Sequence, residues 1–281
     1  MKKIVLITNT LKDSDMTVTY EVIDVLCNAG MSVYVSKARN LNSPRVSEYA
    51  DFPTDADLII VVGGDGSVID ASNDAIKYDL PMLGINLGKV GYLAEVERDN
   101  LSLLKLLTEG KYKISAKMLL EVELPTADAS HCLCAVNDVV VSHDTHLGIS
   151  DFKISDSVGN TVRYRADGVI FSTPQGSTAY SLSAGGPILA HDVESILMTP
   201  VSPHSFFNRS VLFNSSECIR VTNTSPEPMA ISVDGRRRGV ICTNETCSVR
   251  KSAKEVKMLT FSENSMFSSL FRKMRIIGDM D

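Results

Sequence analysis

Leu58-Ile59-Ile60-Val61-Val62-Gly63-Gly64-Asp65-Gly66-Ser67 is the stretch on which the reading of this chain turns. Five apolar residues in a row, four of them β-branched, describe a strand buried on both faces of a parallel sheet. A glycine-rich turn ends it, and a helix pattern follows to about Lys77. The turn therefore sits at the carboxyl end of a parallel strand, where open α/β sheets bind ligands. Three glycines let the backbone approach a phosphate and aim N–H groups at it, with help from the helix N-terminus. An aspartate in such a loop needs its own reason. Beside phosphate a carboxylate repels, unless it accepts a proton or holds a metal. The plainer alternative is a tight turn with Asp65 as helix N-cap.

Working outward, Ile4 to Thr8 reads as a strand, and Val18, Val22, Val25 and Leu26 share one helical face that Gly30 ends. Met31 to Val35 and Met82 to Asn86 are further strands, and Leu101, Leu104, Leu106 and Leu107 mark a last amphipathic helix. This alternation predicts an open, doubly wound α/β domain over residues 1–110. From Lys111 the period changes to two, as in Leu120 to Leu124, Asp138 to Ser142, Val169 to Ser172, Cys218 to Val221 and Met229 to Val233. Residues 111–262 therefore read as an all-β, sandwich-like domain with one helical interruption near Ser177 to Gly185. Met266, Leu270, Met274 and Ile277 have helical spacing, so the tail, 263–281, is expected to return to the first domain.

Composition narrows the function classes. The 281 residues carry 28 basic and 34 acidic side chains, a net charge of −6, which argues against nucleic acid or an anionic membrane as partner. No apolar run approaches the length of a membrane span, and the apolar run after Met1 is too short for a secretion signal, so a cytoplasmic protein is expected. Six cysteines in a chain of this length are not a disulfide framework. Cys132 and Cys134 form the one close pair, without a second pair or histidine at zinc spacing. The four glycosylation-type sequons, at Asn208, Asn214, Asn223 and Asn244, carry no weight without a secretion signal.

A second polar constellation lies in the β-rich half. Tyr164-Arg165-Ala166-Asp167-Gly168 precedes a strand that feeds Ser172-Thr173-Pro174-Gln175-Gly176-Ser177-Thr178-Ala179-Tyr180-Ser181-Leu182-Ser183. Hydroxyls and small residues around one turn suit a ribose and a planar ring, and Tyr180 offers an aromatic face with a polar tip. Gly84 to Gly91 is no Walker loop, because it is one residue short and lacks the Ser or Thr. It reads equally as a strand-to-helix turn or as a wall of the same cleft. Position 69 is Ile, which removes a Rossmann fingerprint. His143 and His146 are too loosely placed to be ligands, His204 reads as the anchor of a loop, and no nucleophile elbow is present.

Taken in order, Gly63 to Ser67, Asn137-Asp138, Asp167 to Gly186, Ser202-Pro203-His204-Ser205 and Val233-Asp234-Gly235 resemble the NAD kinases, from about residue 58 to 240. The first motif is shared with lipid kinases and 6-phosphofructokinases; Thr173-Pro-Gln-Gly-Ser-Thr-Ala-Tyr180 is far more specific. The resemblance implies a kinase that phosphorylates the 2′-hydroxyl of the adenosine ribose of NAD, giving NADP. ATP or another phosphoryl donor would serve, with magnesium or another divalent cation on the donor and no tightly bound prosthetic group. It implies Asp65 as general base, and Gly63, Gly64, Gly66 and Ser67 beside the phosphates. Asn137 and Asp138 would hold the ribose, and Thr178, Ala179, Tyr180, Ser181, Leu182 and Ser183 would line the adenosine site. Arg165 and Asp167 would reach the nicotinamide end, partly across a subunit interface, with Asp234 and Arg236 at a further contact position. The site would lie between the two domains of a homodimer or homotetramer.

Three positions depart from the family's pattern: Asp138 where Glu is common, Gln175 where Thr is common, and Arg236 where Gln is frequent. Arg236-Arg237-Arg238 reads either as a solvated hairpin tip or as a phosphate contact. Two rival functions remain at this level. A lipid or sugar kinase sharing only the glycine loop has no use for an adenosine-type acceptor site. A non-catalytic dinucleotide sensor gains nothing from Asp65.

Overall fold

The computed structural model describes residues 1–37, 41, 43–88, 91–125, 133–144, 148–204 and 207–261. They form two compact units, Met1–Ala116 with the chain from Val256 onward, and Lys117–Glu255. The segment 263–281, expected to dock as a tail, lies outside the described residues.

In the first unit, strands β1 (Lys3–Thr8), β2 (Ser32–Ser36), β3 (Val46–Tyr49), β4 (Leu58–Gly63) and β5 (Met82–Asn86) form a parallel sheet in the order β3-β2-β1-β4-β5. A two-residue strand, β6 (Val96–Glu97), continues it beside β5. All six residues of β4 are buried, as the unbroken apolar run requires, and each large side chain there contributes about 1.5–3 kcal/mol by leaving water. Helices α1 (Thr17–Asn28) and α2 (Asp65–Tyr78) follow β1 and β4. Val18, Val22, Ile23 and Leu26 of α1 join Leu6, Val33 and Ile60 in one core. Gly30, at φ 80°, ends α1 in a conformation that a side chain resists. The amphipathic run near Leu101 is not a regular α-helix. It is a 3-10 segment, Arg98–Lys105, bent at Asn100 and followed by the single turn α3 (Leu106–Glu109). Leu101, Leu104 and Leu107 still reach the core, so the apolar spacing was met by a tighter helix.

The second unit is antiparallel. Its strands are β7 (Lys113–Glu123), β8 (Leu133–Ala135), β9 (Asp138–His143), β10 (Ser150–Ser155), β11 (Thr161–Ala166), β12 (Gly168–Ser172), β13 (Ser195–Val201), β14 (Val211–Asn214), β15 (Cys218–Asn223), β16 (Met229–Val233), β17 (Arg236–Ile241) and β18 (Thr246–Thr260). One helical turn, α4 (Tyr180–Ser183), interrupts them. Six strands pair in the order β14-β13-β12-β9-β16-β17, while β11-β10-β15-β18 and β7-β8 make the facing layer. Val139 and Val141, Val169 and Phe171, and Met229 and Ile231 point alternately inward against Leu120, Phe152, Val221 and Val249. That is the period-two pattern closing a sandwich. The last residues of β18 belong to the first unit, where Met258 lies parallel to Met82 of β5. Among the described residues no helix is long and apolar enough to cross a membrane.

Candidate functional site

The order of the parallel sheet reverses between β1 and β4, so the crevice at their carboxyl ends is where an open α/β sheet takes a ligand. Two loops meet there. The first, residues 9–16, is tied to β4 by the Asn9 N–H donating to the Val62 carbonyl at 2.9 Å. The Asn9 amide donates to Ser67 Oγ at 2.7 Å, while its own Oδ1 accepts the N–H groups of Leu11 and Lys12. The second is the Gly63–Ser67 turn. Gly64, in extended backbone, is the N-cap of α2, and Asp65 is its first residue, so the N-cap reading of Asp65 is corrected by one position. A Cβ on Gly63 would lie 2.5 Å from Ser67 Oγ, and one on Gly64 would collide with the Lys12 ammonium. Close approach rather than φ requires glycine at 63, while at 64 a side chain would have to displace the Lys12 ammonium and at 66 there is open space.

Asp65 is held on one edge. Its Oδ2 accepts the Tyr92 N–H at 2.8 Å and its Oδ1 the Leu93 N–H at 3.0 Å, leaving one lone pair on each oxygen for the crevice. The glycines at 84, 88 and 91 build the strap that supplies those donors. A Cβ on Gly84 would lie 2.9 Å from the Ala94 Cα, and one on Gly91 2.9 Å from the Asn86 side chain. Buried Asn86 accepts the Gly88 N–H and donates to Glu97. The strap therefore buttresses the turn around Asp65; it leads from β5 to β6, so the strand-to-helix reading of the second glycine cluster is corrected to a strand-to-strand connection.

In the second unit the residues at one end of the β16–β9–β12 strands converge. Asp234 and Gly235, at φ 48° and 75°, make the tight turn between β16 and β17. The Asp234 carboxylate accepts the N–H groups of Val136, Asn137 and Asp138 at 2.8, 2.7 and 3.1 Å, and its own N–H donates to the Asp138 carbonyl. Asp138, 5% exposed, is pushed up to about 7 by burial and then by the neighbouring Asp234 charge. Burial also raises Asp234, opposed by its three N–H donors and by Arg238. The Asn137 carbonyl accepts the Thr173 N–H, and the Thr173 hydroxyl donates to the Val136 carbonyl while accepting the Gly176 N–H. A Cβ on Gly176 would run into the Asn137 backbone. The Asn137-Asp138 strand end and the Thr173–Thr178 turn are thus one rigid unit.

Within that turn the hydroxyls divide. Ser177 and Ser181 are fully buried: Ser177 Oγ donates to the Pro174 carbonyl, and Ser181 Oγ lies 2.8 Å from Thr199 Oγ1. Tyr180, Leu182 and Ser183 are exposed, with Thr178 and Ala179 half-buried beside them. Exposed Arg236 opens β17, two residues past Asp234 and at the same end as Asp138. Arg237 pairs with Asp144. Arg165, in β11, and Asp167, just before β12, lie beyond the far end of β12, a strand that itself spans about 13 Å at strand rise. Gln175 is buried in the turn.

Comparison with known proteins gives the family. Residues 4–112 match the ATP-NAD kinase N-terminal domain and residues 136–261 the ATP-NAD kinase C-terminal domain. The chain is 34% identical to an NAD kinase of Lachnoclostridium phytofermentans, across 97% of this chain and 99% of that protein. The chain belongs to the NAD kinase family.

An NAD kinase of Clostridium botulinum is 36% identical over 78% of both chains. Among solved structures, yeast NADH kinase complexed with NADH has a TM-score of 0.84, at 23% identity, over 98% of this chain and 88% of that one. An NAD kinase from Archaeoglobus fulgidus in complex with ATP has 0.74, at 22% identity, over 98% and 100%. At those identities the two structures speak for the fold. As an NAD kinase the chain is an enzyme, and the family's activity is ATP-dependent phosphorylation of NAD to NADP.

Sequence reasoning missed Asn9, Lys12 and Asn86, and it saw Asp234 as a contact rather than as the clamp on Asn137 and Asp138. Asn9 and Lys12 carry no motif. Only the strand order, which sets β1 beside β4, brings them to Gly64. Cys27, Cys218, Cys242 and Cys247 are free thiols, and burial pushes the Cys247 thiol up to about 12. Cys132 and His146 lie outside the described residues.

Proposed function

We propose that the chain transfers the γ-phosphoryl group of ATP to the 2′-hydroxyl of the adenosine ribose of NAD, with Asp65 as general base. The observation that carries this is the aspartate itself. A carboxylate fixed by two backbone N–H groups, in a glycine turn at a helix N-terminus, is poorly suited to binding phosphate alone. It is well suited to taking a proton beside one.

In this mechanism Asp65 accepts the hydroxyl proton as the ribose oxygen attacks the γ-phosphorus. The bond to the bridging oxygen breaks, ADP leaves, and Asp65 returns its proton to solvent. Gly63, Gly64 and Gly66 give the phosphates room against the N–H groups at the start of α2. Asn137 and Asp138 hold the ribose, while Thr178, Ala179, Tyr180, Leu182 and Ser183 face the adenine. Ser181 acts from behind, through Thr199, to fix α4. Arg165 and Asp167, a strand's length away, suit the nicotinamide end, and Arg236 a phosphate.

Among the described residues no group of three or more His, Cys, Asp or Glu converges as a metal cage. A magnesium ion carried in on the donor phosphates would need few protein ligands, and Asp65 is the carboxylate of the glycine turn that would hold it. When bound, the ion neutralises charge on the phosphates being transferred. The family resemblance also supports a homodimer or homotetramer, which sedimentation of the purified chain tests. The reaction is tested by supplying NAD, ATP and magnesium and locating the new phosphate by 31P NMR. A 2′-phosphate supports the assignment. A lipid or sugar product without NADP, or dinucleotide binding without turnover, would replace it.

A further inference from the structure

Lys12 is the side chain for which the first crevice has no assigned use. The loop that carries it is fixed at every turn. The Lys12 N–H donates to the Asn9 carbonyl at 3.1 Å, and the Asp13 N–H donates to the same carbonyl at 3.0 Å. The buried Asp13 carboxylate then accepts the Val18 and Thr19 N–H groups and the Thr19 hydroxyl, which anchors the loop to α1. Held in this way, the Lys12 ammonium reaches across to the Gly63–Ser67 turn. A Cβ on Gly64 would strike it, and one on Gly88 would lie 3.6 Å from it. Among the described residues Lys12 makes no ion pair. Its charge sits at the glycine face of the phosphate loop, where a phosphate entering the cradle must meet it.

Beside this ammonium opens a cavity of about 390 Å3, within the range that holds a small-molecule ligand. Its walls come from the start of α1, the end of β5 and the Glu97–Asp99 segment. The charge is asymmetric. Two cations, Lys12 and Arg98, face four carboxylates, Asp13, Asp15, Glu97 and Asp99, for a net charge of −2. Asp13 is turned inward as the α1 anchor, but Asp15, Glu97 and Asp99 keep acceptor oxygens. A chain of phosphates continuing past Lys12 would run into these carboxylates. Sugar hydroxyls and ring amino groups are donors, and would be accepted by them.

We propose that Lys12 is the cation that receives the donor phosphates and that the adjoining cavity seats the donor's nucleoside. The donor is then a nucleoside triphosphate and not inorganic polyphosphate. The proposal rests on the kinase reading above, and its test does not require turnover. Mg·ATP and magnesium tripolyphosphate are titrated calorimetrically into the full chain, the Lys12→Met and Lys12→Arg variants, and Gly64→Ala, whose methyl group would displace the ammonium. ATP should bind wild type at least about tenfold more tightly than tripolyphosphate. Lys12→Met and Gly64→Ala should each lose at least about tenfold in ATP affinity, the scale of one charge-assisted hydrogen bond, and Lys12→Arg should recover most of it. Lys12 is exposed, so thermal melting of its variants should be unchanged. ATP affinity unaffected in Lys12→Met would overturn the role of the lysine. Tripolyphosphate binding as tightly as ATP would overturn the nucleoside seat, and absence of ATP binding to wild type would overturn both. Failure of the NAD kinase reading shows differently, as ATP binding without NADP.

Discussion

Replacing Asp138 by Asn should make the protein more stable at neutral and alkaline pH. Asp138 is buried at the end of β9, and its carboxyl is pushed from 3.8 to about 7, first by desolvation and then by Asp234. In the folded chain the group keeps its proton up to about pH 7, whereas the unfolded chain loses it near pH 4. Between those values the folded state binds more protons, so stability falls as pH rises. The shift of about 3 units corresponds to about 4 kcal/mol in total, of which about 2.5 kcal/mol falls between pH 5 and 8. Asn keeps the volume and cannot ionise, so Asp138→Asn should not pay this penalty. Urea unfolding of both proteins at pH 5, 6, 7 and 8 reads the difference directly. Subtracting the two curves cancels every other titrating group that they share. The expected result is a gap that opens in favour of Asp138→Asn as pH rises, by about 2.5 kcal/mol from pH 5 to 8. Parallel curves would refute the reasoning, because Asp138 would then carry its charge at no cost. That cost is what a ribose-binding carboxylate held in a dry site would show.

The remaining predictions concern both units. Gly176→Ala drives a Cβ into the Asn137 backbone, which cannot step aside because Thr173 and Asp234 hold it. It should cost about 3 kcal/mol or more and lower the melting temperature, and an unchanged melting curve would show that the turn can move. Arg236→Gln should raise the KM for NAD or for the phosphoryl donor without altering melting. Unchanged values for both would leave Arg236 a solvated residue of the β17 edge.

Much of the fold was legible because burial writes itself into spacing. The run Leu58 to Val62 announced a strand covered on both faces, and Val139, Val141, Val169 and Phe171 announced the inner face of a sandwich. Elements held by other means were silent. β3, with only Val46 and Tyr49 half-covered, has no apolar pattern to read. The Leu101–Leu107 segment has helical spacing that a bent 3-10 turn satisfies equally well. At the site, glycine and carboxylate motifs stood out because their residue types are unusual for their places. Lys12 did not, since a surface lysine is ordinary until β1 is known to lie beside β4. Nor did the clamp by Asp234, whose three hydrogen bonds cross almost a hundred residues of sequence to reach backbone atoms that any residue would supply.

The central claim is that Asp65 takes the ribose proton, and Asp65→Asn tests it most directly. Asn keeps an oxygen acceptor for one of the Tyr92 and Leu93 N–H groups, sets its NH2 against the other, and loses the base. NADP formation from NAD, ATP and magnesium would be measured in both proteins, alongside NAD and ATP affinities and melting temperature. The account predicts normal folding, substrate affinities within a few-fold, and a fall in kcat of about 10²–10⁴. A folded Asp65→Asn variant that makes NADP at the wild-type rate would contradict it.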